Sequence, residues 1–296
     1  MNVTNIAAYF KERFPPVNML LFAVLFLTVY SVGSYFSIDK ENSAANILVG
    51  IISVISFFYR LRVFDEIKDF KLDAINHPLR VLQCGKVSLK QLITISAALT
   101  FFEIIWSYWN GTITIISWLM AVAYSLLMRY EFFIGAFLKR KLFLYACTHM
   151  LIMPLIILWI WSAFYKNSLL HPALYLLAAL SLLGGFCFEI ARKIHAPAEE
   201  RPTVDSYSRS LGFNASLITV LIFLLAGVLV QAALLNIIHA RSWAYIAIVI
   251  LYMATCIIYI HAAKMHIEKK LRFAELLVSL FMLFSYVSII TEIHFR

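Results

Sequence analysis

Charge is scarce in this sequence. Asp, Glu, Lys and Arg make up 14% of its 296 residues, against roughly 25% in a soluble globular domain, which excludes an ordinary water-soluble fold. Cysteine is also sparse: Cys84, Cys147, Cys187 and Cys256 show no paired or C-x-x-C spacing. That argues against a disulfide framework and against a thiolate metal site. No linker, internal repeat or low-complexity tract interrupts the chain, so residues 1–296 read as a single domain. The opening "MNVTNIAAYFKERFPP" lacks the order of a signal peptide, because its charges and prolines precede the apolar run and no small-residue cleavage site follows. It reads instead as a short amphipathic helix lying on a membrane surface.

What the sequence does hold is apolar. Hydrophobic residues account for 62% of it, and its mean hydropathy is +0.85. Runs of about 17 to 25 apolar residues can cross a bilayer. Nine such runs occur, at about 17–37, 44–60, 91–109, 113–129, 142–164, 170–189, 212–236, 242–262 and 272–293. The expected class is therefore an all-α integral membrane protein with nine transmembrane helices. Of the 25 Lys and Arg residues, all but Lys40, Lys166, Arg241 and Arg296 fall on one side of such a bundle, together with the N-terminus. The positive-inside rule makes that side cytoplasmic. The net charge of +9 then reflects topology and anionic lipid headgroups and gives no reason to expect nucleic acid as a partner.

Against this background one stretch is conspicuous: "LRVFDEIKDFKLDAINHPLRVLQCGKVS", from Leu61 to Ser88, between the second and third runs. Asp65, Asp69 and Asp73 are spaced four apart, so on a helix they share a face, and Glu66 lies beside them. Like charges this close to a bilayer are costly unless compensated. A divalent cation would compensate them, and hard oxygen ligands suit Mg²⁺, which binds through one or two carboxylates and leaves the rest of its shell to water and phosphate. A solvated loop neutralised by Arg62, Lys68 and Lys71 is the simpler alternative.

The residues that follow bear on the choice. Asn76, Pro78, Arg80, Gly85, Val87 and Ser88 come in a set order, and with the acidic ladder they resemble the first signature of the UbiA superfamily of intramembrane prenyltransferases, N-D-x-x-D-x-x-x-D followed by N-x-P-x-R-P and G-x-[IV]-S. Asp65 stands where that family usually has Asn, Glu66 where it has Asp, and Val81 where it has a second Pro. The family's second signature, D-x-x-x-D and a downstream G-[IV]-x-T-L-P-x-x-L-G stretch, resembles "FEIARKIHAPAEERPTVDSYSRSLG" (Phe188 to Gly212). There Glu189 takes the first Asp position and Lys193 the second, "VDSYSRSLG" fits the later half, and the polar stretch between carries Glu199, Glu200 and Asp205.

The resemblance implies nine helices in a ring around a central cavity, capped by both acidic loops at a cytoplasmic polar end. It implies transfer of an isoprenyl group from an isoprenyl diphosphate to an aromatic or hydroxyl-bearing lipophilic acceptor, with Mg²⁺ as cofactor. Asp65, Asp69, Asp73 and Glu189 would be the catalytic carboxylates. Glu66 would join the first metal set, and Asp205 or Glu199 the second. Arg62, Lys68, Arg80, Arg192 and Lys193 would contact the diphosphate. The location would be a plasma (inner) membrane.

Two polar residues stand apart. Glu103, inside the third run, is expected to orient an acceptor hydroxyl or to bond a neighbouring helix. Asn18 is expected at the cavity mouth or at a helix start. Lys193 keeps open a different donor, since an ammonium neutralises phosphate but cannot ligate Mg²⁺; phosphoribosyl diphosphate with a polyprenyl phosphate acceptor is that alternative. A non-catalytic binding or transport protein is the other alternative, although the acidic residues gather at one membrane face rather than at the midplane.

Overall fold

The computed structural model describes residues 2–38, 43–166, 170–201 and 205–295. Among them nine helical segments are long and apolar enough to cross a membrane, matching the nine runs one for one. The protein is an all-α, multi-pass integral membrane protein. Its contacts group into two compact units, Met1–Phe132 with Trp159–Asn167 and Phe133–Leu158 with Ser168–Arg296.

The first unit opens with α1 (Val3–Arg13), capped by Asn2, and α2 (Pro16–Phe36). Pro16 suits a first helical position, where its missing N–H would have no partner anyway. Then come α3 (Ala44–Asn76), α4 (Leu89–Asn110) and α5 (Thr112–Arg129). Within a bilayer close packing and polar links hold helices together. Gly50 of α3 supplies the close packing: a Cβ there would lie 2.4 Å from the Phe26 ring and 2.8 Å from Trp106. Polar links join α3 to α4 through paired amides of Asn46 and Asn110, 3.0 Å apart, and through the Trp106 indole, which donates to the Asn46 carbonyl at 3.0 Å.

The second unit contains α6 (Gly135–Lys139), α7 (Leu142–Met150), most of the apolar start of α8 (Ile152–Phe164), α9 (Pro172–Ala191), the short α10 (Tyr207–Ser210), α11 (Phe213–Ile237), α12 (Ser242–Met265) and α13 (Glu268–His294). The fifth run is broken into α7 and α8 at Leu151. Pro154 follows within the first turn of α8, where it removes a backbone donor. Gln231 of α11 donates to the Ser285 carbonyl and the Ser288 hydroxyl of α13, at 3.0 and 3.2 Å. At the far end of α13 the buried Glu292 accepts from Arg241 and Trp243 at the start of α12.

Candidate functional site

The acidic ladder rides on the helix that crosses the membrane. With 33 residues at 1.5 Å each, α3 is about 50 Å long, well beyond the ~30 Å hydrocarbon core. Its last turns therefore carry Asp65, Glu66, Asp69 and Asp73 on rigid helix. The four carboxylates differ in setting. Asp69 is exposed, and Asp65 pairs with Lys68 at 3.2 Å. Asp73 takes a short bond from Arg80 and a longer one, 3.4 Å, from Arg13. Glu66 is 1% exposed, and its Oε1 accepts from Arg13 Nε at 2.8 Å, Arg62 Nη2 at 2.7 Å and the Tyr9 hydroxyl at 3.4 Å. Its Oε2 is equally buried and makes no hydrogen bond.

Arg13 and Tyr9 were not among the expected site residues. The N-terminal helix spends its apolar face on the protein rather than on a membrane surface: Tyr9 and Phe14 are buried with Tyr59, Val63, Leu82, Val87 and Leu92. Asn5 and Glu12 bind the backbone of Lys86 and Val81. Burial opposes charge on Arg13, yet its bonds to Glu66 and the nearby Asp73 keep its pKa above the ordinary value. The aromatic spacing Tyr9, Phe10, Phe14 marks a buried face, but nothing local says that the face meets Glu66, 57 residues away.

The connector after the ladder is a stop-and-start device. His77 precedes Pro78, which disfavours helical backbone at His77, and α3 ends there. A short coil then closes with Lys86 N–H on the Val81 carbonyl and Gly85 N–H on the Leu82 carbonyl, the paired bonds of a Schellman stop. That stop needs a left-handed residue, and Gly85 has φ +70°. Val87 is buried, and Ser88 with Gln91 forms a capping box that starts α4. Most of the ordered residues after the ladder thus serve geometry, and Arg80 returns to bond Asp73.

The second motif sits at the end of α9. Glu189 is buried and both its oxygens are engaged: Oε2 by the Arg192 guanidinium, Nε at 2.7 Å, and Oε1 by Lys193 Nζ at 2.8 Å. The backbone beyond is tied down from α13, a contribution sequence reasoning missed. Arg272 donates to the carbonyls of Arg192 (3.1 Å) and Ile194 (2.6 Å), and the Tyr207 N–H donates to the Lys193 carbonyl (3.0 Å). Glu268 accepts from the Ala196 N–H at 2.8 Å and pairs with Arg272. The spacing of Glu268, Arg272 and Glu275 predicts ion pairs along one helix, but not the capture of carbonyls some 80 residues away. Asp205 and Glu199 are exposed, and Val204 lies outside the described residues.

Glu103 bonds neighbouring helices, and Asn18 stands at a helix start. Glu103 is 0% exposed and accepts from Ser56 (2.7 Å), Arg60 (2.7 Å) and Trp118 (2.8 Å). It therefore clamps α3, α4 and α5 and offers no surface to an acceptor. Asn18 is in the first turn of α2, its N–H on the Pro15 carbonyl at 2.9 Å.

The two motifs differ in their fitness for a hard divalent cation. Among the described residues no three His, Cys, Asp or Glu side chains gather as a metal cluster, so the six expected ligands do not form two complete shells. Mg²⁺ needs only one or two carboxylates beside water and phosphate. The first motif meets that need, having a buried, unpartnered Glu66 oxygen and the exposed Asp69 on the same helix. Glu189 does not, because cations already hold both its oxygens.

The fold has solved relatives. A structure described as digeranylgeranylglyceryl phosphate synthase is 16% identical, covers 99% of this chain and 100% of its own, and superimposes with a TM-score of 0.67. A UbiA homologue from Aeropyrum pernix K1, 16% identical over 92% of this chain and 96% of its own, gives 0.67. A UbiA homologue from Archaeoglobus fulgidus bound to GPP and Mg²⁺, 13% identical over 95% of this chain and 99% of its own, gives 0.56. No curated protein matches the sequence. The model of the UbiA prenyltransferase family matches residues 19–285, which takes in both acidic motifs, seven spans whole and most of the first and ninth, and the chain accordingly belongs to the UbiA prenyltransferase family.

Proposed function

We propose that this prenyltransferase moves an isoprenyl group from an isoprenyl diphosphate onto an aromatic or hydroxyl-bearing lipophilic acceptor, with Mg²⁺ held at the first acidic motif. The observation that carries the reading is Glu66: a buried carboxylate with one oxygen fixed by three residues and the other without a partner, flanked by Asp65, Asp69 and Asp73. The relative from Archaeoglobus fulgidus bound to GPP and Mg²⁺ supports the same ligand classes. Bound there, the ion would neutralise the diphosphate and the charge that develops as it leaves. Glu66, through Oε2, and Asp69 would hold it, with Asp65 and Asp73 as further carboxylates on the same helix. Arg13, Arg62, Lys68 and Arg80 hold these carboxylates in place, and each can turn a donor towards phosphate oxygens. Arg192 and Lys193 carry positive charge at the second motif. The apolar surroundings exclude water from the allylic cation. The whole chain acts as one catalytic domain in a plasma (inner) membrane, with the N-terminus and acidic loops cytoplasmic, as the Lys and Arg distribution supports.

The alternative of a phosphoribosyl diphosphate donor with a polyprenyl phosphate acceptor draws on one feature, the ammonium of Lys193 at a position of carboxylate. One experiment separates the two. Binding of geranyl, farnesyl and geranylgeranyl diphosphates to the purified protein is measured with and without Mg²⁺, in wild type and in Asp69→Ala. The expected result is Mg²⁺-dependent binding that the substitution weakens. Folded protein that binds none of the three but binds phosphoribosyl diphosphate would overturn the prenyl-donor reading.

A further inference from the structure

The two acidic motifs are differently filled, and the difference concerns how many metal ions the protein takes. At the first, Glu66 keeps a buried oxygen with no partner, and Asp69 is exposed four residues from Asp65. At the second, Glu189 has no oxygen left. Lys193 holds Oε1 at 2.8 Å and Arg192 holds Oε2 through both Nε and Nη2. These cations are not loosely placed. The carbonyls of residues 192, 193 and 194 accept from Arg272, Tyr207 and again Arg272, so the turn that carries them is held by three bonds from two residues. Arg192 remains 44% exposed and Lys193 23%, enough to offer donors while still bound to Glu189. Among the described residues neither motif forms a group of three or more His, Cys, Asp or Glu side chains, so the difference between them lies in which oxygens are already held.

We infer that the protein binds a divalent cation at the first motif only, and that Lys193, steadied by Glu189 and Arg272, supplies an ammonium to a phosphate group at the second. The inference rests on the diphosphate-donor reading above. An ammonium is a fixed point charge for phosphate, independent of metal supply. Metal dependence should then follow a single class of ion site.

The test counts ions. Mn²⁺ binding to the full chain in phosphatidylcholine nanodiscs is followed by the electron paramagnetic resonance signal of the free ion, with geranyl thiolodiphosphate present. One ion per chain is expected in the wild type, lost in Glu66→Gln with Asp69→Asn, and a second ion is expected in Lys193→Asp. Two ions in the wild type, or a single ion lost in Glu189→Gln instead, would overturn the inference. A second readout avoids metal. Pyrophosphate binding in EDTA should weaken about tenfold in Lys193→Met, the cost of one charge-assisted hydrogen bond, and persist in Lys193→Arg. Unchanged affinity in Lys193→Met overturns the role of the ammonium, as does loss of that binding when phosphatidylglycerol replaces phosphatidylcholine, which assigns the pair to lipid headgroups. A wild type that binds Mn²⁺ and pyrophosphate but not the geranyl compound overturns the prenyl-donor reading and leaves the ion count standing.

Discussion

Replacing Glu103 by Gln separates a structural clamp from an acceptor contact. The carboxylate is fully buried, and Arg60 faces it with a side chain that is 9% exposed. Two of its bonds, from Ser56 and Trp118, are neutral, and such interhelical bonds contribute only about 0.6 kcal/mol each in a membrane. The ion pair matters more. Without the charge on Glu103, Arg60 keeps only Thr100 Oγ1 at 3.2 Å and the Phe57 ring at 4.4 Å, while its Nε and Nη2 already lack partners. Stranding one member of a buried pair costs about 3–5 kcal/mol, so the guanidinium, not the hydrogen bonds, sets the size of the effect. Unfolding in mixed micelles of rising dodecyl sulfate content should show that loss for Glu103→Gln. The double variant Arg60→Met, Glu103→Leu should recover most of it, since an apolar pair of similar volume leaves nothing stranded. A Glu103→Gln protein within about 0.5 kcal/mol of wild type, with turnover reduced, would refute the clamp and restore the acceptor role.

Glu66→Gln should raise the Mg²⁺ concentration for half-maximal isoprenyl diphosphate binding about tenfold, because a neutral amide is a poor partner for a hard cation; an unchanged Mg²⁺ dependence counts against the first-motif site. Gly85→Ala forces a Cβ into left-handed backbone at a cost of about 1–2 kcal/mol, and nothing crowds that Cβ, so Gly85→Asn should cost less; equal loss in both, read by thermal unfolding, would show that the backbone is not the cause. Gly50→Ala should be worse, roughly 1–3 kcal/mol of overpacking against Phe26 and Trp106, and a variant as stable as wild type would mean that α2 and α4 can give way. Tyr9→Ala should expose the connector from residue 77 to residue 88 to trypsin at Arg80 and Lys86, since Tyr9 is buried against it; unaltered cleavage would detach α1 from the site.

Much of this protein was legible in its sequence because the relevant signals are local. A bilayer fixes how long an apolar run must be, so among the described residues eight of the nine runs are single long helices and the fifth is the pair α7 and α8. Spacing by four placed Asp65, Asp69 and Asp73 on one helix, and Pro78, Gly85 and Ser88 marked where that helix ends and the next begins. The excess of Lys and Arg on one side predicted an orientation in the same way. Contacts between distant segments were decided by tertiary structure. Nothing near Tyr9 or Arg13 says that they close on Glu66, and nothing near Arg272 says that it holds the carbonyls of residues 192 and 194. The pairing of Arg60 with Glu103 is equally hidden, because each residue alone reads as a charge needing a partner. A sequence shows which side chains carry charge; which oxygen is left unpaired, as at Glu66, or filled, as at Glu189, depends on where the rest of the chain brings its cations.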